Sequence, residues 1–316
     1  MKFALKSLVA AAAIASVGYA NAAAVTIGEG QTGAIAGNAI RFDGGQGTLG
    51  FSAGSDFDGT DPNTLGGLIG ALNVGKVTVT GVGGATVVEG TIPDEFGDEV
   101  RVSSKATAQV ISVTTDDVTG QVLSVTSTGG AEQLGTRIGG TLTGGTASVT
   151  NLRFDLANNV VYADLAGTKA AVGTNPAVNY NLPNTALWTI GNVSGPTVIS
   201  PAALALQGQA QIDAFVGAGY TYDGLVNGYN IFSATNVISG LQVTTAGFDF
   251  FKNSLGLLST GVNALAAVNN DPQGWGSVDS KLTFAVPAVP EPSTYAMLGV
   301  GLLVVGGALR ARRRAQ

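Results

Sequence analysis

Between residues 23 and 287 apolar and polar positions alternate in short runs, the period of a half-buried strand rather than of a helix. Residues 76–80, 109–113 and 121–126 are rich in Val and Thr, which suit a pleated surface. Gly- and Asn-rich turns separate them. The sharpest pattern is 150–165, which predicts a hairpin turning at Asn158-Asn159, residues that tolerate positive φ. In that register Leu156 faces Val161, Phe154 faces Ala163 and Leu152 faces Leu165, while Arg153 faces Asp164 on the other side.

The second half adds helical spacing. Ser200-Pro201 reads as an N-cap followed by Pro at the first helical position, with Leu204, Ile212 and Phe215 on one face. Phe248, Phe251, Leu255, Leu258, Val262 and Leu265 recur at three and four residues and predict one amphipathic helix, stopped by Asn269-Asn270-Asp271-Pro272. A last strand spans 278–286. No fixed-period repeat is visible, which argues against a solenoid. The expected fold is mainly β, sandwich-like and Gly/Thr-rich, with one or two helices in the second half and a soft boundary near 129–145.

The two ends follow other patterns. Lys2 and Lys6 precede an apolar run at 8–17, and Ala20-Asn21-Ala22 offers the small residues that a signal peptidase reads. Residues 1–22 therefore read as a secretory signal peptide cut after Ala22, with a second site within Ala22-Ala23-Ala24. At the other end, 292–309 is uncharged and mostly apolar, long enough as a helix to cover about 27 Å. Arg310, Arg312, Arg313 and Arg314 follow as a cytoplasmic stop.

In front of that helix stand Pro290, Glu291 and Pro292, whose prolines hold an extended, accessible segment. Pro-Glu-Pro, apolar helix and Arg cluster, in this order over about 289–314, resemble the PEP-CTERM sorting signal of Gram-negative bacteria. The resemblance implies an exosortase that reads Pro290, Glu291 and Pro292. It implies a transient inner-membrane anchor, then release to the cell surface or the extracellular, exopolysaccharide-rich matrix. Ice-binding proteins can carry the same kind of tail, which concerns the tail and not the domain before it.

Composition narrows the chemistry. The chain has no Cys and no His, which excludes disulfides, thiolate nucleophiles, Ser-His-Asp catalysis and the usual zinc hydrolysis. Of 15 Lys+Arg, six lie in the end segments, and of 21 Asp+Glu, only Glu291 does. The domain between them thus carries 9 basic against 20 acidic residues, near −11. Nucleic acid is not an expected partner of so acidic a body, and divalent cations are compatible with it.

Asp56, Asp58 and Asp61 resemble the opening of an oxygen-ligand calcium loop, without its closing Glu, since Gly67 holds that place. Residues 44–49 partly resemble a calcium-binding nonapeptide, with Thr48 where the ligand Asp would stand. Gly28, Gly30 and Gly33 fit the dinucleotide letters, but no helix follows. Asp94, Glu95, Asp98 and Glu99 form an acidic knot that reads as a solvated loop or, held 5–10 Å apart in a cleft, as paired carboxylates for glycoside hydrolysis. Tyr220, Tyr222, Tyr229, Phe232, Trp188 and Trp275 read as core or as sugar-stacking aromatics, and Thr-rich faces could meet ice or polysaccharide through ordered hydroxyls. The expected function is that of an exported non-catalytic surface or matrix protein in contact with exopolysaccharide. The alternative is a secreted carbohydrate-active enzyme using Asp/Glu pairs. An outer-membrane barrel ranks third, because ten-residue strands with aromatic girdles are missing.

Overall fold

The computed structural model describes residues 23–288. Its strands in chain order are β1 (Ala24–Gly28), β2 (Thr32–Ile35), β3 (Asn38–Phe51), β4 (Thr78–Val82), β5 (Thr86–Pro93), β6 (Glu99–Asp116), β7 (Val122–Thr128) and β8 (Gly130–Gly135). They continue as β9 (Gly145–Asp155), β10 (Val160–Lys169), β11 (Val178–Thr189), β12 (Asn192–Ser194), β13 (Thr221–Val226), β14 (Tyr229–Ser239), β15 (Gln242–Val243) and β16 (Gly276–Pro287). The helices are α1 (Gly67–Val74), α2 (Pro201–Leu204), α3 (Gly208–Gly217), α4 (Thr245–Ser254) and α5 (Ser259–Asn270).

All strand pairs are antiparallel, and the main path runs β14, β16, β3, β6, β7, β9, β10, β11. The path has no free ends. Beyond Thr189 the β11 strand continues as β12, and beyond Ser239 the β14 strand continues as β15. Trp188 faces Val243 and Ser194 faces Val237, so six steps forward on one strand match six steps back on the other. This single register closes the sheet into an eight-stranded up-and-down barrel, in which β16, the last strand, joins β14 to β3. At the seam Gly191 and Gly240 lie face to face, and a Cβ on Gly191 would sit 3.1 Å from the Gly240 carbonyl oxygen. Side chains on both strands would hold the crossing apart.

The expectation of a mainly β fold is met, but the described residues hold five helices rather than one or two, α1 among them lies in the first half, and the sandwich is replaced by the barrel. The reason is the seam, which pairs residues some fifty positions apart that short-range alternation does not relate. Residues 129–145 carry β8, which pairs with both β4 and β9 inside the same sheet.

The 150–165 hairpin forms as β9 and β10, with a four-residue loop instead of two. The Asp155 carboxylate accepts from the Asn158 backbone and side-chain N–H groups, each at 3.1 Å, and only Asn159 (φ 54°) takes positive φ. The longer loop shifts the register by two beside the turn, where Phe154 faces Val161 and Arg153 faces Tyr162, and an irregularity before Asp164 adds one more, so Leu165 faces Val149 rather than Leu152. A shift of two keeps each side chain on its face. Arg153 stacks 4.3 Å over the Tyr162 ring, and Asp164 instead accepts from Asn151 and from the Asn184 backbone.

Ser200 caps α2 as expected, accepting from the Ala203 N–H at 3.2 Å. The 248–265 stripe is two helices rather than one, broken where Gly256 adopts φ 63°. Phe251, Leu255 and Leu265 nonetheless enter the same hydrophobic cluster. Among the described residues no helix is long and apolar enough to cross a membrane.

Candidate functional site

Inward positions of the barrel recur every second residue, and their sizes are uneven. Ile238, Val278, Leu49 and Ala106 form one cross-strand row over β14, β16, β3 and β6. Ala234, Leu282, Gly45 and Val110 form another. Between them lies a row of Asn236, Ser280, Gly47 and Ala108, none larger than Asn. A bulge at Gly44 (φ 92°) turns both Phe42 and Gly45 inward.

The small row separates two packed clusters at opposite ends of the same strands. One holds Trp188, Trp275, Ile238, Val278 and Phe251, with α1, α4 and α5 packed into it. The other holds Phe42, Phe232, Phe284, Phe215 and Tyr220, with α2 and α3. Phe215 stacks on Phe232 at 4.4 Å and meets Tyr220 edge-on at 5.3 Å.

The gap is a cavity inside the barrel, with about 100 Å³ open to the centres of water-sized spheres. Unfilled, a void of that size costs on the order of 2 kcal/mol. Its lining is almost wholly apolar and contains no acidic or basic side chain. A second cavity of about 50 Å³ lies under α1 and α5, and Gln133, Phe51, Leu68, Phe251 and Trp275 line both.

Most polar groups on the lining are satisfied within the protein. Asn236 Nδ2 donates to the Pro196 carbonyl at 2.9 Å, and the Tyr220 hydroxyl donates to the Val198 carbonyl at 3.0 Å. Burial pushes that Tyr220 hydroxyl above the ordinary tyrosine range, so it stays protonated. Two atoms are left over: the Trp188 indole N–H and Gln133 Oε1 are buried with no hydrogen-bond partner. Such orphans are rare, and each costs about 1–3 kcal/mol. The neighbouring Trp275 differs, since its N–H reaches Asn269 Oδ1 at 3.1 Å.

The sequence-predicted candidates lie elsewhere. Asp58 Oδ1 accepts from the Asp61 N–H at 2.9 Å, the Thr60 N–H at 2.8 Å and the Thr60 hydroxyl at 3.0 Å. These bonds, the Asp61 N–H first and then those of Thr60, hold its carboxyl below the ordinary aspartate value. Asp61 caps the short 3₁₀ turn 62–64 by accepting from the Asn63 N–H at 2.9 Å. Asp56, Asp58 and Asp61 thus stand in one turn, two of them engaged with backbone amides. Among the described residues no three acidic side chains gather as a metal site. Gly28, Gly30 and Gly33 belong to β1, its turn and β2, and 44–49 lies within β3.

Asp94, Glu95, Asp98 and Glu99 occupy the tip between β5 and β6, where Asp94 Oδ1 accepts from the Phe96 and Asp98 N–H groups at 2.9 Å each. Of the aromatics, Trp188, Trp275, Tyr220 and Phe232 are buried. The small row and the Trp188–Gln133 orphans escaped sequence reasoning because their residues come from separate strands, related only through the barrel's register. Pro290, Glu291, Pro292, the span 292–309, Arg310, Arg312, Arg313, Arg314 and the signal segment 1–22 lie outside the described residues.

Residues 288–314 match a family model, described as the PEP-CTERM protein-sorting motif. No curated protein and no solved structure matches the chain. The tail is therefore similar to those of exported precursors that exosortase processes, and it follows directly on β16.

Proposed function

We propose that the chain is an exported, non-catalytic surface or extracellular-matrix protein of a Gram-negative bacterium, anchored briefly in the inner membrane, cut by an exosortase and held among exopolysaccharide. What carries the export and processing is the sorting match at 288–314. Two features of the barrel support the rest. The cavity lining has no acidic side chain, so a carboxylate pair would have to act outside the enclosed interior. The outer wall across the same strands is polar: Thr235, Lys281, Gln46 and Gln109 stand exposed in one cross-strand row. In the next row the Thr48 and Thr107 hydroxyls bond at 2.9 Å beside Asp279. A face of amides, hydroxyls and charged groups suits a hydrated polysaccharide, and it is the reverse of the apolar outer band of a membrane barrel.

The test follows the tagged full-length chain in the producing cell. Replacing Pro290, Glu291 and Pro292 together by Ala should leave an uncut, membrane-bound precursor, and the wild type should appear in the matrix fraction. Co-sedimentation of the released protein with the cell's own exopolysaccharide should saturate, and Gln46→Ala with Lys281→Ala should weaken it. Wild-type protein that is released but never sediments with polysaccharide would overturn the matrix reading and keep the sorting one.

A further inference from the structure

We infer that the barrel interior is a binding site for one small, uncharged, largely apolar molecule of about one ring in size that carries a single oxygen acceptor. This inference does not depend on the polysaccharide reading, which concerns the outer wall.

Four observations converge on it. The cavity is built rather than left over, because four strands each place a small residue (Asn236, Ser280, Gly47, Ala108) in one row between two well-filled clusters. Eight-stranded barrels have an interior that side chains just fill or that holds one small ligand. The space of about 100 Å³ is somewhat below the roughly 150 Å³ of an engineered apolar cavity that takes up benzene. The lining carries no charge to pair with an ionised ligand, which confines the class to neutral molecules.

Polarity supplies the fourth. The Trp188 N–H is the one indole donor without a partner, and its residue is only 3% exposed. Trp275, 5.9 Å away between ring centres, has its N–H occupied by Asn269. A ligand oxygen of carbonyl, ether or hydroxyl type would satisfy the Trp188 N–H. Trp188, Trp275 and Phe251 give the cavity an aromatic wall against which a ring packs well.

The experiment uses the processed protein as the producing cell releases it, with ¹⁵N-labelled tryptophan, titrated separately with cyclohexanone and cyclohexane. The two indole N–H signals report the cavity directly, because the chain has 2 Trp and both line it. Both probes should bind saturably, and cyclohexanone alone should shift the Trp188 signal strongly downfield. Trp188→Phe removes wall contacts for both probes, but it should weaken cyclohexanone about five- to tenfold more than cyclohexane, the scale of one lost hydrogen bond. Ala108→Leu, which fills the small row without touching either indole's N–H, should abolish binding of both probes. The proposal is overturned if neither probe binds the wild type, as for a cavity that holds only water. It is equally overturned if both bind but Ala108→Leu leaves their affinities unchanged, which would place them elsewhere.

Discussion

The backbone nitrogen of Ala23 lies 2.7 Å from Asp117 Oδ1, and the Asp117 N–H donates back to the Ala23 carbonyl at 2.9 Å. Ala23 is the residue that a signal peptidase would expose by cutting after Ala22. The bond drawn as an amide would then be an ammonium–carboxylate pair at the start of β1. N-terminal sequencing of the secreted protein should read Ala-Ala-Val from Ala23. Asp117→Asn should lower the unfolding midpoint of that product slightly, by an amount that shrinks in high salt, as befits an exposed pair.

Trp188 and Trp275 should respond differently to the same substitution. Trp275 stacks on Phe251 at 5.1 Å and bonds to Asn269, which itself bonds twice to the Val243 backbone at the seam. Trp275→Phe removes a satisfied bond and loosens α5 from the seam, for an expected loss of about 2–3 kcal/mol. Trp188→Phe removes an unsatisfied donor, so part of the lost packing is offset and the loss should stay near 1 kcal/mol. Urea unfolding of both variants at one pH decides the order.

Asp155 gives the hairpin a signed pH dependence. Burial would raise its carboxyl, but the bonds from Asn158 and Arg153 together outweigh this and hold it below the ordinary aspartate value. A depressed folded value means a contribution present above the unfolded value of about 3.9 and lost as pH falls through the folded one. Asp155→Asn should therefore be less stable than wild type at pH 7, and the gap should close once the pH drops below about 4. A gap that widens in acid would contradict the assignment of these bonds.

Calcium tests the turn at 56–61. With the Asp58 carboxylate already accepting three donors, millimolar calcium or excess chelator should leave the unfolding temperature of the wild type unchanged. Asp58→Ala should lower it whether calcium is present or not. A chelator-sensitive wild type would show instead that Asp56, Asp58 and Asp61 act as ligands.

What the sequence showed was set by how far apart the partners lie. Ser200 and the Asn269–Pro272 stop act within a few residues, and each has the expected place. The break at Gly256 was hidden because its two helices pack on one cluster, which preserved the three–four spacing across the gap. The four-residue loop after Asp155 was hidden because a shift of two leaves the alternation intact. The candidate site was least visible of all. Gly47, Ala108, Asn236 and Ser280 are unremarkable in their own strands and become a void only once β3, β6, β14 and β16 are set in register.

The placement of β16 also fixes an order of events. It is the keystone between β14 and β3, pairing Ala285 with Arg41 across almost the whole domain, and it ends at Pro287, one residue before the sorting match begins. Contacts so distant along the chain form late and slowly. An exported polypeptide must bring its C-terminal strand through the translocon before the ring can lock. A chain exported from its N-terminus can therefore close the barrel only once translocation has reached the sorting match, so the fold is completed last at its boundary with that tail.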